Sequence, residues 1–415
     1  MPIRHRLRNK ILAAEKTSDI VFFCSLLVFI GIIGSITTDM YIPSMPIIAS
    51  SFHTSSLAVK FTITLYLASY AAGMLFYGPI ADSFGRKPTL IIATLIGIMG
   101  CLFCTFADTI QILYIGRLLQ GAGFSAISLS MPALARDVLN NKQFAQTGSI
   151  LSLAFGLGPI LSPVIGSYIA HLLGWRAIFA ATTLYSIIIL LILLFIMPET
   201  LHISKRRVFH IKPILKTYKC ILSNTVFIKN VLCKSVSFAG FIVFYTATPF
   251  LFQNHLGLTP IQYGWITLTL TGATLISKFI NSIILRYVSL NHIIMSAVII
   301  LNLSSLLLLG LALLQYYSTA AAVIPFALFG FGSGFLFSNT TVAAFQPFKG
   351  SAAASVSGLI SGIQLLSGFI GSAIAAHINL STLLPLGIFM SVISILCMIQ
   401  YIYFNYQQPS SDQQG

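Results

Sequence analysis

Apolar runs long enough to cross a bilayer recur along nearly the whole chain. Twelve can be placed, at residues 20–46, 57–80, 88–107, 110–132, 144–170, 176–197, 228–252, 261–285, 291–314, 319–341, 351–377 and 381–404. Each approaches or exceeds the ~20 residues a helix needs to span ~30 Å of hydrocarbon. Barrel strands would show ~10-residue segments of alternating character instead. Backbone groups in lipid have no water to bond to, so the pattern predicts helices throughout: an all-α integral membrane protein.

The longest polar stretch, residues 198–227, divides these runs six and six. The expected organisation is a basic N-terminal segment (1–19), a six-helix bundle (20–197), a basic linker (198–227), a second six-helix bundle (228–404) and a short tail (405–415). The fifth run, GSILSLAFGLGPILSPVIGSYIA, and the eleventh, SGLISGIQLLSGFIGSAIAAHI, hold equivalent places in the two halves and are both loaded with Gly and Ser. Small residues let helices approach closely, and the correspondence suggests a duplicated six-helix unit. Transporters built from repeats place their substrate site near the membrane midplane between the halves and rock one half against the other.

Composition agrees with the runs, since a chain of 415 residues that is 57% hydrophobic and 7% charged cannot cover a water-facing surface. The net charge of +15 raises the question of nucleic acid, and its distribution rejects that partner. If the N-terminus is cytoplasmic, eighteen of the 23 basic residues fall on that side: Arg4, Arg6, Arg8, Lys10, Lys16, Arg86, Lys87, Arg136, Lys142, the seven from Lys205 to Lys229, Arg286 and Lys349. Only Lys60 and Arg176 lie in the opposite loops. This is a positive-inside pattern with both termini cytoplasmic, its basic clusters resting against anionic lipid headgroups. The first apolar run exceeds a signal peptide's core and ends in no small-residue cleavage site, so it is expected to stay as the first helix. Cys101 and Cys104 form a C-x-x-C inside an apolar run, without a second pair, and read as packing residues. The eight histidines are scattered, with no H-E-x-x-H, nucleophile elbow or Walker loop. The sequence therefore suggests no enzyme, no metal site, no cofactor and no ATP motor in cis.

Three motifs carry more. GPIADSFGRKP, residues 78–88, follows a G-x-x-x-D-x-x-G-R-[KR] pattern at Gly78, Asp82, Gly85, Arg86 and Lys87. GRLLQGAG, residues 116–123, follows R-x-x-Q-G-x-G at Arg117, Gln120, Gly121 and Gly123. GLGPILSPVIG, residues 156–166, is a Gly-Pro motif comprising Gly156, Gly158, Pro159, Pro163 and Gly166. Together with TTDMYIPSMP in the first run and ARDV after the fourth, they resemble the major facilitator superfamily, and within it the Bcr/CflA (bicyclomycin and chloramphenicol resistance) branch of the drug:proton antiporters. The resemblance covers the whole chain, although its motifs lie in the first half; after the eighth run, SKFINSIILRYVSL keeps Arg286 without the Asp and Gly of the loop signature. It implies twelve helices in two pseudo-symmetric bundles, alternating access, a bacterial inner membrane and multidrug efflux coupled to protons. It also implies that Asp82 latches the halves in one state of the cycle, helped by Arg136 and Asp137, and that the fifth helix seals the leak between them.

Asp39 lies about seven residues from the outer end of the first run and Arg117 about seven from the outer end of the fourth. At ~1.5 Å per residue both sit ~10 Å below the boundary. Of the eight acidic residues only Asp39 falls well inside a run, where an isolated charge costs ~2.5–3.5 kcal/mol on the lenient insertion scale. Its proton affinity then depends on solvent access and on the distance to Arg117, which makes the pair a proton switch. The alternative is structural, with Asp39 paired to Arg117 or capping the distorted helix end before Pro43 and Pro46. Gln120 lies one turn beyond Arg117 on the same face.

Aromatic and polar candidates for a substrate cavity are Tyr41, Tyr66, Tyr70, Gln120, Tyr245, Phe331, Phe335 and Asn339, which suit a lipophilic ligand. Lys278 either snorkels to the near boundary, as does Lys234, or reaches the cavity and favours anionic or zwitterionic solutes. The expected function is export of small lipophilic or amphipathic molecules in exchange for protons by a protein working as a monomer. A dedicated metabolite or siderophore transporter on the same scaffold, running in either direction, is the alternative, because fold fixes neither direction nor cargo.

Overall fold

The computed structural model describes residues 17–206, 211–316, 318–348, 353–378 and 382–406. Among them every regular element is a helix, and twelve helical segments are long and apolar enough to cross a membrane. Arg4, Arg6, Arg8, Lys10, Lys16, Arg207, Lys349 and most of the expected tail lie outside the described residues.

The first crossing is built in pieces: α1 (Thr17–Gly31), α2 (Ile33–Asp39), a 3-10 turn at Ile42–Ser44, and α3 (Met45–Ser51). It reaches Ser51 instead of residue 46. Proline has no N–H to donate to a helical ladder, so Pro43 and Pro46 favour a break here. Upstream of it the Thr37 and Thr38 hydroxyls donate back to the carbonyls of Ile33 (2.8 Å) and Gly34 (2.7 Å), a bond that bends helices.

The next five crossings are α4 (Ser56–Phe84), α5 (Arg86–Thr105), α6 (Ile110–Val138), α7 (Asn141–Leu173) and α8 (Trp175–Phe195). The central polar stretch holds a further helix, α9 (Ile211–Leu222), where the sequence reading expects only a linker. Its lysines at 212, 216 and 219 alternate with apolar residues at helical spacing, a signal short enough to be overlooked beside the long runs. Then follow α10 (Thr225–Phe250) ending in a π turn (Leu251–His255), α11 (Pro260–Ile284), α12 (Leu290–Leu313), α13 (Thr319–Phe345), α14 (Ala353–His377) and α15 (Leu384–Tyr406).

Helix starts are set by side chains that accept the orphan N–H groups of the first turn. Ser55, Thr109, Asn224 and Ser318 each accept from the N–H three residues ahead. Asn140 with Gln143 and Thr259 with Gln262 form reciprocal capping boxes. Lys60 and Arg176, expected in loops, lie instead in the opening turns of α4 and α8. Lys60 is buried, and Arg176 donates to the Ala107 carbonyl at 2.7 Å while stacking on Trp175.

Two compact units emerge, Met1–Ile214 and Leu215–Gly415. In the first, α6 packs on α4 and α5, α5 packs on α8, and the first crossing packs on α7. In the second, α13 packs on α11 and α12, α12 packs on α15, and α10 packs on α14. Crossings four, two, three and six, then one and five, thus repeat one packing scheme in each unit, which is the structural form of the duplication. A Cβ on Gly121 or Gly123 of α6 would press into the backbone of α4 or α5, and one on Gly330 or Gly334 of α13 would press into that of α11.

The capping boxes make a direct test. Asn140→Ala and Thr259→Ala should each cost about 1 kcal/mol. Thermal unfolding of the detergent-solubilised protein should show both midpoints lowered with helical content unchanged, and unaltered midpoints would remove these side chains from the stability of the helix starts.

Candidate functional site

Arg117 is fully buried, one of the largest side chains to be so, and α6 carries it to the break in the first crossing. Its Nη1 donates to the Thr37 carbonyl and to Gln120 Oε1, both at 2.8 Å. The guanidinium lies over the rings of Tyr41 and Tyr66, with Cζ 4.3 Å from each centre. Those rings are themselves fixed: Tyr41 Oη bonds Thr62 Oγ1 at 2.8 Å, and Tyr66 Oη meets Thr37 Oγ1 at 2.9 Å and Thr38 Oγ1 at 3.2 Å. A desolvated cation between two aromatic faces gains ~2 kcal/mol or more from each quadrupole, which offsets part of its burial. Gln120 completes the arrangement by donating to Cys101 Sγ at 3.2 Å, and Tyr70, beside Tyr66, donates to Ser128 Oγ. Arg117 Nε and Nη2 have no hydrogen-bond partner.

Asp39 is the last residue of α2 and is buried. Arg117 contacts Thr37 and Tyr41 on either side of it, so the two charged residues share a level in the bundle as the depth estimate implies. They are not an ion pair: those formed among the described residues are Asp82–Arg86, Arg86–Asp137 and Glu199–Arg206. The direct contact left open by the sequence is replaced by the hold of the Thr37 carbonyl on the guanidinium.

The Gly-Pro motif is fitted to the same break. A Cβ on Gly166 would collide with the Met40 carbonyl, one residue beyond Asp39, and a Cβ on Gly158 would stand 2.9 Å from Ser35 Oγ. Pro159 and Pro163 lie inside α7, and Gly156 is half-buried. α7 therefore carries its small residues where the first crossing is distorted.

The 78–88 signature forms a second cluster within the same unit, where α4 turns into α5. Gly85 has φ +104°, and a Cβ there would also strike Glu199 Oε2. Glu199 accepts the backbone N–H groups of Arg86 (3.0 Å) and Lys87 (3.2 Å), an acid seated on the positive end of α5. Asp82 pairs with Arg86 at 2.7 Å, and Arg86 reaches Asp137 at 3.4 Å. Lys87 Nζ donates to the carbonyls of Leu194 and Met197 at the end of α8, while Arg136 lies over Phe144. Gly78 rests against Leu129. Sequence reasoning missed Glu199; the available signal was a lone carboxylate just past the sixth run, at the depth of the signature's two cations.

In the second unit the cavity candidates are dispersed. Tyr245 packs on Phe241 and Phe244, and Phe331 and Phe335 meet edge to face at 5.2 Å. Asn339 is fully buried, its amide exchanging bonds with Asn281 (2.7 and 3.3 Å) and donating to the Phe335 carbonyl. Lys278 is exposed, and Lys234 donates to Thr341 Oγ1 at 2.8 Å.

Two units of six apolar helices, with a buried cation and a buried acid inside one of them, define a membrane solute transporter. Residues 27–372 match the family model for the Major Facilitator Superfamily, and the chain belongs to that family. It is 25% identical over 391 residues (94% of this chain, 97% of the relative) to a bicyclomycin resistance protein homolog of Haemophilus influenzae. It is 28% identical (89% and 92%) to the uncharacterized MFS-type transporter YdgK of Bacillus subtilis. Over 241 residues (58% and 61%) it is 30% identical to the multidrug resistance protein MdtL of Escherichia coli.

The fit of α7 to the break yields a prediction with its own control. Gly166→Val should lower the thermal midpoint as overpacking does, by roughly 1–3 kcal/mol in stability. Gly272→Ala, where a Cβ meets nothing within 4 Å, should be neutral or slightly stabilising. Equal behaviour of the two variants in a thermal-shift assay would show that the Met40 contact is soft.

Proposed function

We propose that the protein is a proton-coupled exporter of small lipophilic or amphipathic molecules, a drug:proton antiporter of the bacterial inner membrane with both termini cytoplasmic. The observation that carries this reading is Asp39: a buried carboxylate at a helix break, level with a buried guanidinium that it does not pair with and that keeps two donors without hydrogen-bond partners. In this scheme Asp39 takes a proton when its face of the break is open to the outer side. On release to the cytoplasm, Arg117 Nε and Nη2 receive the carboxylate, so that proton loss and a shift of the first crossing are one event. A proton moving down 100 mV supplies ~2.3 kcal/mol, enough to concentrate a solute more than tenfold. The Asp82–Arg86–Asp137 cluster serves as the cytoplasmic gate in the same cycle. The names of the relatives, bicyclomycin resistance and multidrug resistance, support drugs as cargo.

Substrate-induced proton release from the purified protein tests the scheme. The panel comprises lipophilic cations, neutral phenicols and siderophore-like acids. Wild type should release protons with at least one of the first two classes, and Asp39→Asn should bind the same compound with no release. Release that survives in Asp39→Asn removes the acid from the coupling. Release on siderophore-like acids alone turns the reading to a dedicated siderophore transporter.

A further inference from the structure

The chain carries no Asp or Glu between Glu199 and Asp412, so the helices of the second unit contain no carboxylate at all. They nevertheless carry two lysines well inside their apolar length, Lys234 in α10 and Lys278 in α11. An ionisable group inside a crossing is rare and is ordinarily paired or functional. Both helices pack on α13, and the two ammonium groups are near enough to act on each other electrostatically. Lys234 Nζ donates to the hydroxyl of Thr341 in α13, which provides an acceptor but no charge. Like charges in a weakly polar setting repel, and the helices of this unit hold no carboxylate to pair with either lysine.

The surroundings are aromatic. On α10, Lys234, Phe238 and Phe241 recur at spacings of four and three, which places them on one helix face. Phe337, one turn before Thr341 on α13, meets Phe238 at 6.1 Å and Phe241 at 6.2 Å. All three rings are only half-buried. The Lys234–Thr341 bond therefore stands at one end of a partly open aromatic face, with Lys278 nearby.

We propose that Lys234, Lys278 and this face bind a lipophilic anion, an aromatic or apolar body bearing a carboxylate or phosphate group. The anion supplies the counter-charge that the unit lacks, through charge-assisted bonds from two ammonium groups, and the rings take the apolar body. Treating that ligand as cargo rests on the transport reading above; the binding site itself does not.

The probe is tritiated 2-naphthoate, with 2-naphthamide as its neutral analogue, bound to the detergent-purified full chain. Wild type should hold the acid at least tenfold tighter than the amide. Lys234→Gln and Lys278→Gln should each abolish that preference while leaving amide binding and the thermal midpoint in place, and Lys278→Arg should keep it. Equal affinities for acid and amide in wild type, or a preference that survives both Gln variants, overturns the site. A thermal midpoint lost in the Gln variants moves the test to Thr341→Val and Lys278→Arg, where an unchanged preference in the first and a retained one in the second are expected only if charge is what binds; loss in Lys278→Arg overturns the site. In phosphatidylcholine nanodiscs, competition by phosphatidylglycerol that Lys278→Gln abolishes supports the anion site with a lipid phosphate as its source, and absence of competition supports a soluble ligand. Naphthoate binding without proton release supports the site and withdraws the antiport reading for this ligand, whereas proton release by other compounds with no naphthoate preference does the reverse.

Discussion

A helix that breaks inside hydrocarbon leaves backbone carbonyls that only the protein can satisfy. In a continuous first crossing the Thr37 carbonyl would accept from the N–H of residue 41; here α2 ends at Asp39 and Arg117 Nη1 fills the vacancy at 2.8 Å. Much of the first unit depends on that bond. It draws a guanidinium into a fully buried position, which the rings of Tyr41 and Tyr66 make tolerable. The rings need Thr62, Thr37 and Thr38 to hold their hydroxyls. The buried break at Met40 needs a glycine opposite, and α7 provides Gly166. Asp39 is left buried with no ion pair, while Arg117 spends Nη1 on backbone and Gln120 and keeps Nε and Nη2 without partners.

The turn between α4 and α5 obeys a similar constraint. Two requirements converge on Gly85, a backbone angle of +104° and room for the Glu199 carboxylate. Glu199 in turn satisfies N–H groups that begin α5 and meets Arg206 at 3.7 Å. Arg86 is shared between Asp82 and Asp137 and Lys87 is tied to the carbonyls of Leu194 and Met197, so both cations of the signature have partners within the protein.

Period and length made the crossings legible: eleven of the twelve runs lie close to the helices that formed, because apolar length is a local property. The division at the polar stretch was legible for the same reason, and the Gly-rich fifth and eleventh runs foreshadowed the repeated packing. What escaped were long-range pairings. Nothing local to Thr37 announces that its carbonyl takes Arg117, eighty residues away. Glu199 and Arg86 are 113 residues apart, and Asn281 and Asn339 meet across two helices. The sequence brought Asp39 and Arg117 to one depth but could not say whether they touch, since that depends on which way a bent helix turns its face. Proline and threonine at positions 37–46 signalled the distortion, though not that the crossing would continue to Ser51.

The two units repeat one packing scheme with different chemistry. Apart from Asp412, every acid in the chain lies at or before Glu199. The acids other than Asp412 are therefore confined to the first unit, and three of its seven bond a cation or backbone N–H groups. Asp82 and Asp137 share Arg86, and Glu199 serves backbone N–H groups. Asp19 stands in the first turn of α1, and Asp108 in the link between α5 and α6. Among the described residues Asp39 is the one buried acid, and it stands where the first crossing breaks. The helices of the second unit carry lysines and no acid. Duplication has kept the scaffold while the acids, Asp412 apart, are confined to the first unit.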